Sequence, residues 1–122
     1  MVKVQRISAF RTAIEKIEEA KNKNYFQEVM INEIDNPSFH DRTTISEADI
    51  WNLANNIKQI GLINPVILRK KANNRFERIS GFRRIEAVKK LNWQKINSII
   101  IEADEKTALL IMLSENIQRE DL

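Results

Sequence analysis

The sequence contains no cysteine and only one histidine, His40, among its 122 residues. The lack of cysteine excludes disulfides, thiolate metal sites, iron–sulfur clusters and thiol nucleophiles. A single histidine excludes a multi-histidine metal site, and a serine–histidine triad would have to be built on that one residue. No orienting partner for it is evident, so His40 is interpreted as a hydrogen-bonded loop residue rather than a catalyst.

Long apolar runs are also missing. The longest, Ala108 to Leu113, falls far short of the roughly 20 residues of a membrane span, and no signal-peptide region is present at the N-terminus. Twenty Lys and Arg against 17 Asp and Glu leave a net charge of +3, which does not by itself indicate a binding partner. We therefore expect a soluble, cytoplasmic chain with one core and no membrane association.

The first 25 residues are predicted to be an amphipathic helix with a connector. Ile7, Phe10, Ile14 and Ile17 follow helical spacing, which predicts a helix over 8–21, followed by the polar connector Lys21 to Asn24. This helix either packs on its own domain or binds a partner or a second copy of the chain. The domain proper is predicted to span residues 26–122.

Alternation and turn residues predict the remaining elements. Strands are expected over 26–34, 65–69, 75–79 and 96–101. Helices are expected from the N-cap Ser46 to Gly61, from Gly81 or Phe82 to Leu91, and over 108–117, after the N-cap Asp104. Asn73 and Asn74 are expected to join two of the strands in a hairpin. Strands interleaved with helices indicate an α/β or α+β domain.

The segment Ser80-Gly81-Phe82-Arg83-Arg84 lies where a strand gives way to a helix. Two arginines in a first helical turn are disfavoured by the helix dipole, whereas an anion there is favoured. Backbone N–H groups, a glycine and guanidinium groups together suit phosphate oxygens. The alternative is that both arginines point into water or pair with Glu77 or Glu86.

A second polar cluster, Glu115 to Asp121, closes the chain. Glu115 and Arg119 are four residues apart, so they form either an ordinary surface ion pair or part of a ligand site. In the second case Glu115 and Asn116 supply oxygen ligands suited to Mg²⁺, and Arg119 neutralises a phosphate.

Four segments in order carry a family resemblance: 36–42 (NPSFHDR), 53–66 (LANNIKQIGLINPV), 79–87 (ISGFRRIEA) and 115–122 (ENIQREDL). Their residues and spacing resemble the N-terminal domain of the ParB chromosome and plasmid partition proteins, from about Phe26 to Leu122. The resemblance implies an α+β domain with the ParB/sulfiredoxin-like fold, a small mixed sheet flanked by helices, here with an extra N-terminal amphipathic helix. It also implies binding of CTP with Mg²⁺, and slow hydrolysis.

The resemblance assigns roles by motif position and names no catalytic residue. The implied phosphate-binding residues are Gly81, Arg83, Arg84, Asn116 and Arg119; the implied metal ligands are Glu115 and Asn116; the implied nucleobase-binding residues are Gly61, Leu62, Ile63, Asn64 and Pro65. The family usually has glutamate at the position of Phe82 and glutamine at that of Asn64. Phe39 or His40 lies near the position of a glutamine linked to hydrolysis, so hydrolysis stays open.

The implied partners are DNA, a ParA-type ATPase and a second copy of the chain, in a clamp that CTP closes around DNA. The family's helix-turn-helix domain would begin after the last motif, so we expect only nonspecific DNA contact through these residues. The alternative is a nucleotide-dependent phosphotransferase on the same fold, similar to the free-serine kinases. The sulfiredoxin branch needs a cysteine, and a nuclease needs a carboxylate cluster, for which only Glu115, Glu120 and Asp121 are candidates.

Overall fold

The computed structural model describes residues 11, 14–19, 22, 26–38, 45–62 and 64–120, with the helical backbone alone for 114–120. These residues form five strands, four α-helical segments and one 3₁₀ turn. In chain order they are α1 (residues 14–19), β1 (Phe26–Met30), a 3₁₀ turn (Ile31–Glu33), β2 (Ile34–Asp35), α2 (Glu47–Ile60), β3 (Val66–Lys70), β4 (Phe76–Ser80), α3 (Phe82–Lys90), β5 (Lys95–Ile101) and α4 (Glu105–Glu120). The predicted α+β class is confirmed.

The five strands form one mixed sheet in the order β1-β5-β3-β4-β2. Strand β5 pairs antiparallel with β1 and parallel with β3. Strand β4 pairs antiparallel with β3 and parallel with β2. The first two strands of the chain therefore lie on opposite edges of the sheet.

The prediction of one continuous strand over 26–34 is wrong. The chain leaves β1 at Met30 and makes a 3₁₀ turn, in which the Ile31 N–H donates to the Gln94 carbonyl at 2.9 Å. The alternation of Val29 and Ile31 breaks at Glu33, where a continuing strand would place an apolar residue, and this break marks the turn in the sequence.

This short turn also shows that the sheet is strongly curled. The four residues from Met30 to Ile34 span at most about 14 Å. A flat sheet would separate its two edge strands by four spacings, or about 19 Å. Because one turn joins both edges, the sheet must twist and bend to bring them together.

Helices cover both faces of the sheet. Helices α2 and α3 pack on one face, over a core that includes Leu68, Phe76 and Ile96. Helix α4 packs on the other face through Ala108 and Ile111. The apolar side chains of the sheet are thus covered on both faces, which explains why the central strands carry so few exposed positions.

The predicted caps and the hairpin are confirmed. Ser46 Oγ accepts the Asp49 N–H at 3.1 Å at the start of α2. Asp104 Oδ1 accepts the Thr107 N–H at 2.7 Å before α4, and this hydrogen bond lowers the pKa of Asp104. The hairpin between β3 and β4 places Asn74 at a φ of 67°, a left-handed conformation that asparagine tolerates better than most residues.

A small charged cluster anchors the edge strand β2. Asp35 Oδ1 accepts a hydrogen bond from Arg75 Nη2 at 2.8 Å, and Asp35 Oδ2 accepts one from Lys71 Nζ at 3.1 Å. Arg75 also donates to the Asn32 carbonyl at 2.9 Å. These contacts, chiefly the Arg75 hydrogen bond, lower the pKa of Asp35 to about 2.

The predicted N-terminal helix is described only in part. Residues 14–19 are helical, Ile14 is exposed, and Lys16 Nζ donates to the Glu102 carbonyl at 3.0 Å, just after β5. Ile7 and Phe10 lie outside the described residues, and the division into 1–25 and 26–122 stays a prediction. No helix in the described part of the chain is both long enough and apolar enough to cross a membrane.

Candidate functional site at the start of helix α3

Gly81 sits between β4 and α3 in a conformation that glycine alone adopts without strain. Its φ is +106°, in the left-handed region. A Cβ atom built on it would lie 2.5 Å from Val66 Cγ1 and 2.9 Å from Val66 Cβ. The glycine therefore lets the start of α3 approach the start of β3 more closely than any other residue would allow.

The first turn of α3 has no acidic residue, and no side chain accepts a hydrogen bond at its N-cap. A helix that begins this way presents partial positive charge without a protein anion to balance it. Arg83 adds to this charge; it is exposed and makes no hydrogen bond or ion pair with the residues that the structure describes. The arrangement favours an anionic ligand.

Arg84 connects the start of α3 to the segment before β3. Its Nη1 donates to the carbonyl oxygens of Asn64 and Pro65, both at 2.9 Å. The structure therefore brings together the predicted phosphate-binding segment and the end of the predicted nucleobase-binding segment. Spacing in the sequence did not indicate this contact, because 19 and 20 residues separate the partners.

The alternative partners for these arginines are already engaged with other cations. Glu77 Oε1 accepts a hydrogen bond from Arg69 Nε at 3.0 Å, across the β3–β4 ladder. Glu86 Oε1 pairs with Lys89 Nζ at 3.3 Å. Arg84 is held by backbone carbonyls instead, and Arg83 remains exposed.

The segment 61–65 begins at the C-cap of α2. Gly61 has a φ of +93° and donates its N–H to the Ile57 carbonyl at 2.7 Å, which ends the helix as predicted. Leu62 is half-buried and packs against the core, whereas Asn64 is exposed. Ile63 lies outside the described residues. The segment is thus fixed at both ends, by the helix cap and by Arg84.

A third arginine, Arg78, was not among the predicted site residues. It lies in β4, is 8% exposed, and donates from Nε to Asn36 Oδ1 at 3.3 Å. Its guanidinium carbon lies 5.2 Å from the centroid of the Phe82 ring, at the first residue of α3. The sequence did not single out Arg78, because the same strand also carries Glu77 and its burial is visible only in the structure.

The third group of predicted residues lies on α4. Its helical backbone includes Glu115, Asn116 and Arg119 within a rise of about 6 Å. Their side chains are outside the described part of the structure, as are Phe39 and His40. Whether the end of α4 meets the start of α3 therefore stays a prediction.

The donor types of these residues fit Mg²⁺. Within the ranges that the structure describes, no group of three His, Asp or Glu side chains could hold a metal ion. Mg²⁺ does not require such a group, because it binds one or two protein oxygens together with phosphates and water. A carboxylate and an amide on one helix turn, at Glu115 and Asn116, supply that number of ligands.

Comparison with known proteins decides the family. The family model described as the ParB N-terminal domain matches residues 15–117. The chain belongs to the ParB N-terminal domain family. A nucleoid occlusion protein from Geobacillus kaustophilus is 37% identical over 108 residues, which cover 88% of this chain and 38% of that protein. The chain thus spans about two-fifths of the length of the nucleoid occlusion proteins that it matches.

Solved structures of ParB and of sulfiredoxin share the fold. C-terminally truncated ParB from Caulobacter crescentus, complexed with CTP-γ-S, matches with a TM-score of 0.68 and 26% identity over 80% of this chain and 55% of that one. The same ParB complexed to the centromeric parS site matches with a TM-score of 0.64 and 24% identity, over 79% and 49%. Sulfiredoxin from Arabidopsis thaliana, at 24% identity, covers 71% of this chain and 96% of its own with a TM-score of 0.60. The predicted ParB/sulfiredoxin-like fold is confirmed.

Proposed function

We propose that this ParB-family chain binds CTP with Mg²⁺ at the start of α3 and acts as a nucleotide-gated DNA clamp in chromosome or plasmid segregation. The observation that carries the proposal is the pair of hydrogen bonds from Arg84 to the Asn64 and Pro65 carbonyls. They hold an anion-attracting helix start beside the segment 61–65, in which Asn64 is exposed. A nucleotide with a charged and an uncharged end requires two such neighbouring surfaces.

Each residue then has a defined task. Gly81 brings the helix start close to β3, and the first-turn amides, Arg83 and Arg84 bind triphosphate oxygens. Arg84 also holds the loop that faces the base. Asn116 and Arg119 contact phosphates from α4. Glu115 and Asn116 would hold Mg²⁺, which when bound would neutralise charge on the triphosphate.

An Arg84 substitution would test phosphate binding and loop stability at the same time. Replacing Arg84 removes a phosphate ligand and also releases the 64–65 backbone, so the unliganded protein should lose stability as well. Arg83 is the cleaner probe because it makes no hydrogen bond or ion pair with the described residues. Arg83→Gln should therefore weaken nucleotide binding without changing the melting temperature of the unliganded protein.

Calorimetric titration with CTP, ATP and GTP in the presence of Mg²⁺ tests the proposal. CTP should bind most tightly, and Arg83→Gln should bind it about ten- to a hundredfold more weakly, since a hydrogen bond to a charged group contributes roughly 1.5–3 kcal/mol. Lys89→Gln is the matched control: it removes the same charge from the last turn of the same helix, where Lys89 pairs with Glu86. Equal affinity of the wild type and Arg83→Gln for CTP, or equal affinity for all three nucleotides, would contradict the assignment.

The larger assembly is part of the proposal. The family likeness and the ParB–parS complex support DNA as a partner. The proposal also includes a second copy of the chain, which forms the clamp, and a ParA-type ATPase, which the family resemblance implies. Phosphate release separates a switch from an enzyme: slow hydrolysis of CTP favours the switch. Rapid nucleotide-dependent transfer to a hydroxyl acceptor would favour a phosphotransferase instead.

A further inference from the structure

Arg78 is a charged residue in a buried strand, where contacts must offset the cost of removing its guanidinium from water. Strand β4 reads Phe-Glu-Arg-Ile-Ser, all five residues are buried, and Arg78 lies opposite Leu68 on the face covered by α2 and α3. Moving a guanidinium out of water costs several kcal/mol unless its partners compensate. The partners of Arg78 therefore indicate its role.

Two of those partners belong to different motifs of the chain. Asn36, which accepts the Nε hydrogen bond, follows β2 directly and opens the segment 36–42. Phe82, whose ring faces the guanidinium, is the first residue of α3. Arg78 thus bridges an edge of the sheet and the helix start that we assign to the triphosphate.

The local backbone supports this bridge. The β3–β4 ladder changes register between Ile67 and Leu68, so that Ile67 faces Ser80 and Leu68 faces Arg78. The extra residue, Ile79, is a bulge at the end of β4 that leads to Gly81. Bulges redirect the side chains beside them. This bulge lies between Arg78 and Gly81, the residue that precedes α3.

We propose that Arg78 is a positioning residue of the nucleotide site, which couples occupancy of the start of α3 to Asn36, directly after β2. The inference rests on the proposed function. A triphosphate bound to the first-turn amides fixes the backbone of Phe82 and so its ring. The ring holds the guanidinium, and the guanidinium holds Asn36. Because a bound triphosphate would stabilise these contacts, linkage requires that the contacts stabilise the bound nucleotide by the same free energy. Loosening them therefore weakens nucleotide binding.

Two single variants and their combination test the coupling. Arg78→Met keeps an unbranched side chain of similar length and removes the charge, and Phe82→Leu removes the ring but stays apolar. Arg78→Met should bind CTP about tenfold more weakly in calorimetry while its melting temperature is not lowered, because apolar replacement of a buried ion is commonly neutral or stabilising. The double variant should bind CTP no more weakly than Arg78→Met, since both changes break one contact. Lys89→Met, with the same charge change at the far end of α3, should bind as the wild type does.

The outcomes separate this inference from the proposed function. Tight CTP binding by the wild type, with equal affinity for Arg78→Met, overturns the positioning role and leaves the nucleotide site intact. Losses that multiply in the double variant also overturn it, because they show independent roles. If the wild type binds no nucleotide, the proposed function fails, and the inference fails with it. If Arg78→Met does not fold, Arg78→Lys replaces it: an ammonium group does not reproduce the guanidinium that stacks on Phe82, so wild-type affinity in that variant overturns the positioning role.

Discussion

The substitution Gly81→Ala should destabilise the protein through two separable effects. The first is backbone strain at a φ of +106°, which costs an alanine about 1–2 kcal/mol. The second is overpacking, because the new Cβ would lie 2.5 Å from Val66 Cγ1 in a fully buried part of the core. Overpacking of this kind costs about 1–3 kcal/mol, so the free energy of unfolding should fall by about 2–5 kcal/mol in urea denaturation.

Two further variants separate strain from overpacking. Gly61→Ala also places an alanine at positive φ, with a ψ of 174° rather than 26°, and nothing lies within 4 Å of its Cβ, so it should show backbone strain alone, about 1–3 kcal/mol. Val66→Ala removes the Cγ1 atom, and in that background Gly81→Ala should cost about 1–2 kcal/mol less than in the wild type. If Val66→Ala leaves the cost of Gly81→Ala unchanged, the close approach of α3 to β3 is not what requires the glycine.

Two further predictions concern stability. The pKa of Asp35 is lowered to about 2 by its hydrogen bond from Arg75 and by Lys71, so its stabilising contribution is complete above about pH 4 and is lost as the pH falls toward 2. Because 31% of the Asp35 side chain is exposed, that contribution is about 1 kcal/mol after solvent screening. Asp35→Asn should therefore flatten the acid side of the stability–pH profile, and an unchanged profile would contradict this. In urea denaturation, Ser46→Ala should lower the free energy of unfolding by about 1 kcal/mol, and Ser46→Gly by only a few tenths, because glycine also suits an N-cap. Equal losses in the two variants would argue against the hydrogen bond from the Asp49 N–H to Ser46 Oγ.

Local chemistry was readable from the sequence. Helix α2 runs from its Ser46 cap to the Gly61 cap, and the Asn73–Asn74 pair forms the hairpin turn, because each of these signals acts within a few residues. The same holds for Asp104 at the start of α4. The motif residues at the start of α3 were identified for a comparable reason, since glycine and arginines at a strand–helix junction already imply an anion.

Contacts between distant segments were not readable. In the turn after Met30 the Ile31 N–H donates to the carbonyl of Gln94, 63 positions further along the chain, and a pattern of neighbouring residues does not show such a contact. Arg84 was predicted to face phosphate, and its hydrogen bonds to Asn64 and Pro65 depend on how β3 and α3 pack. The Arg78–Phe82 contact likewise joins a strand to a helix across a bulge that no single-residue propensity indicates.

A crystal structure of the wild-type protein with CTP and Mg²⁺ tests the central claim most directly. The account predicts triphosphate oxygens within hydrogen-bond distance of the first-turn amides of α3 and of Arg83, with the base against residues 61–65. A nucleotide bound away from the start of α3, with Arg83 still in solvent, would contradict it.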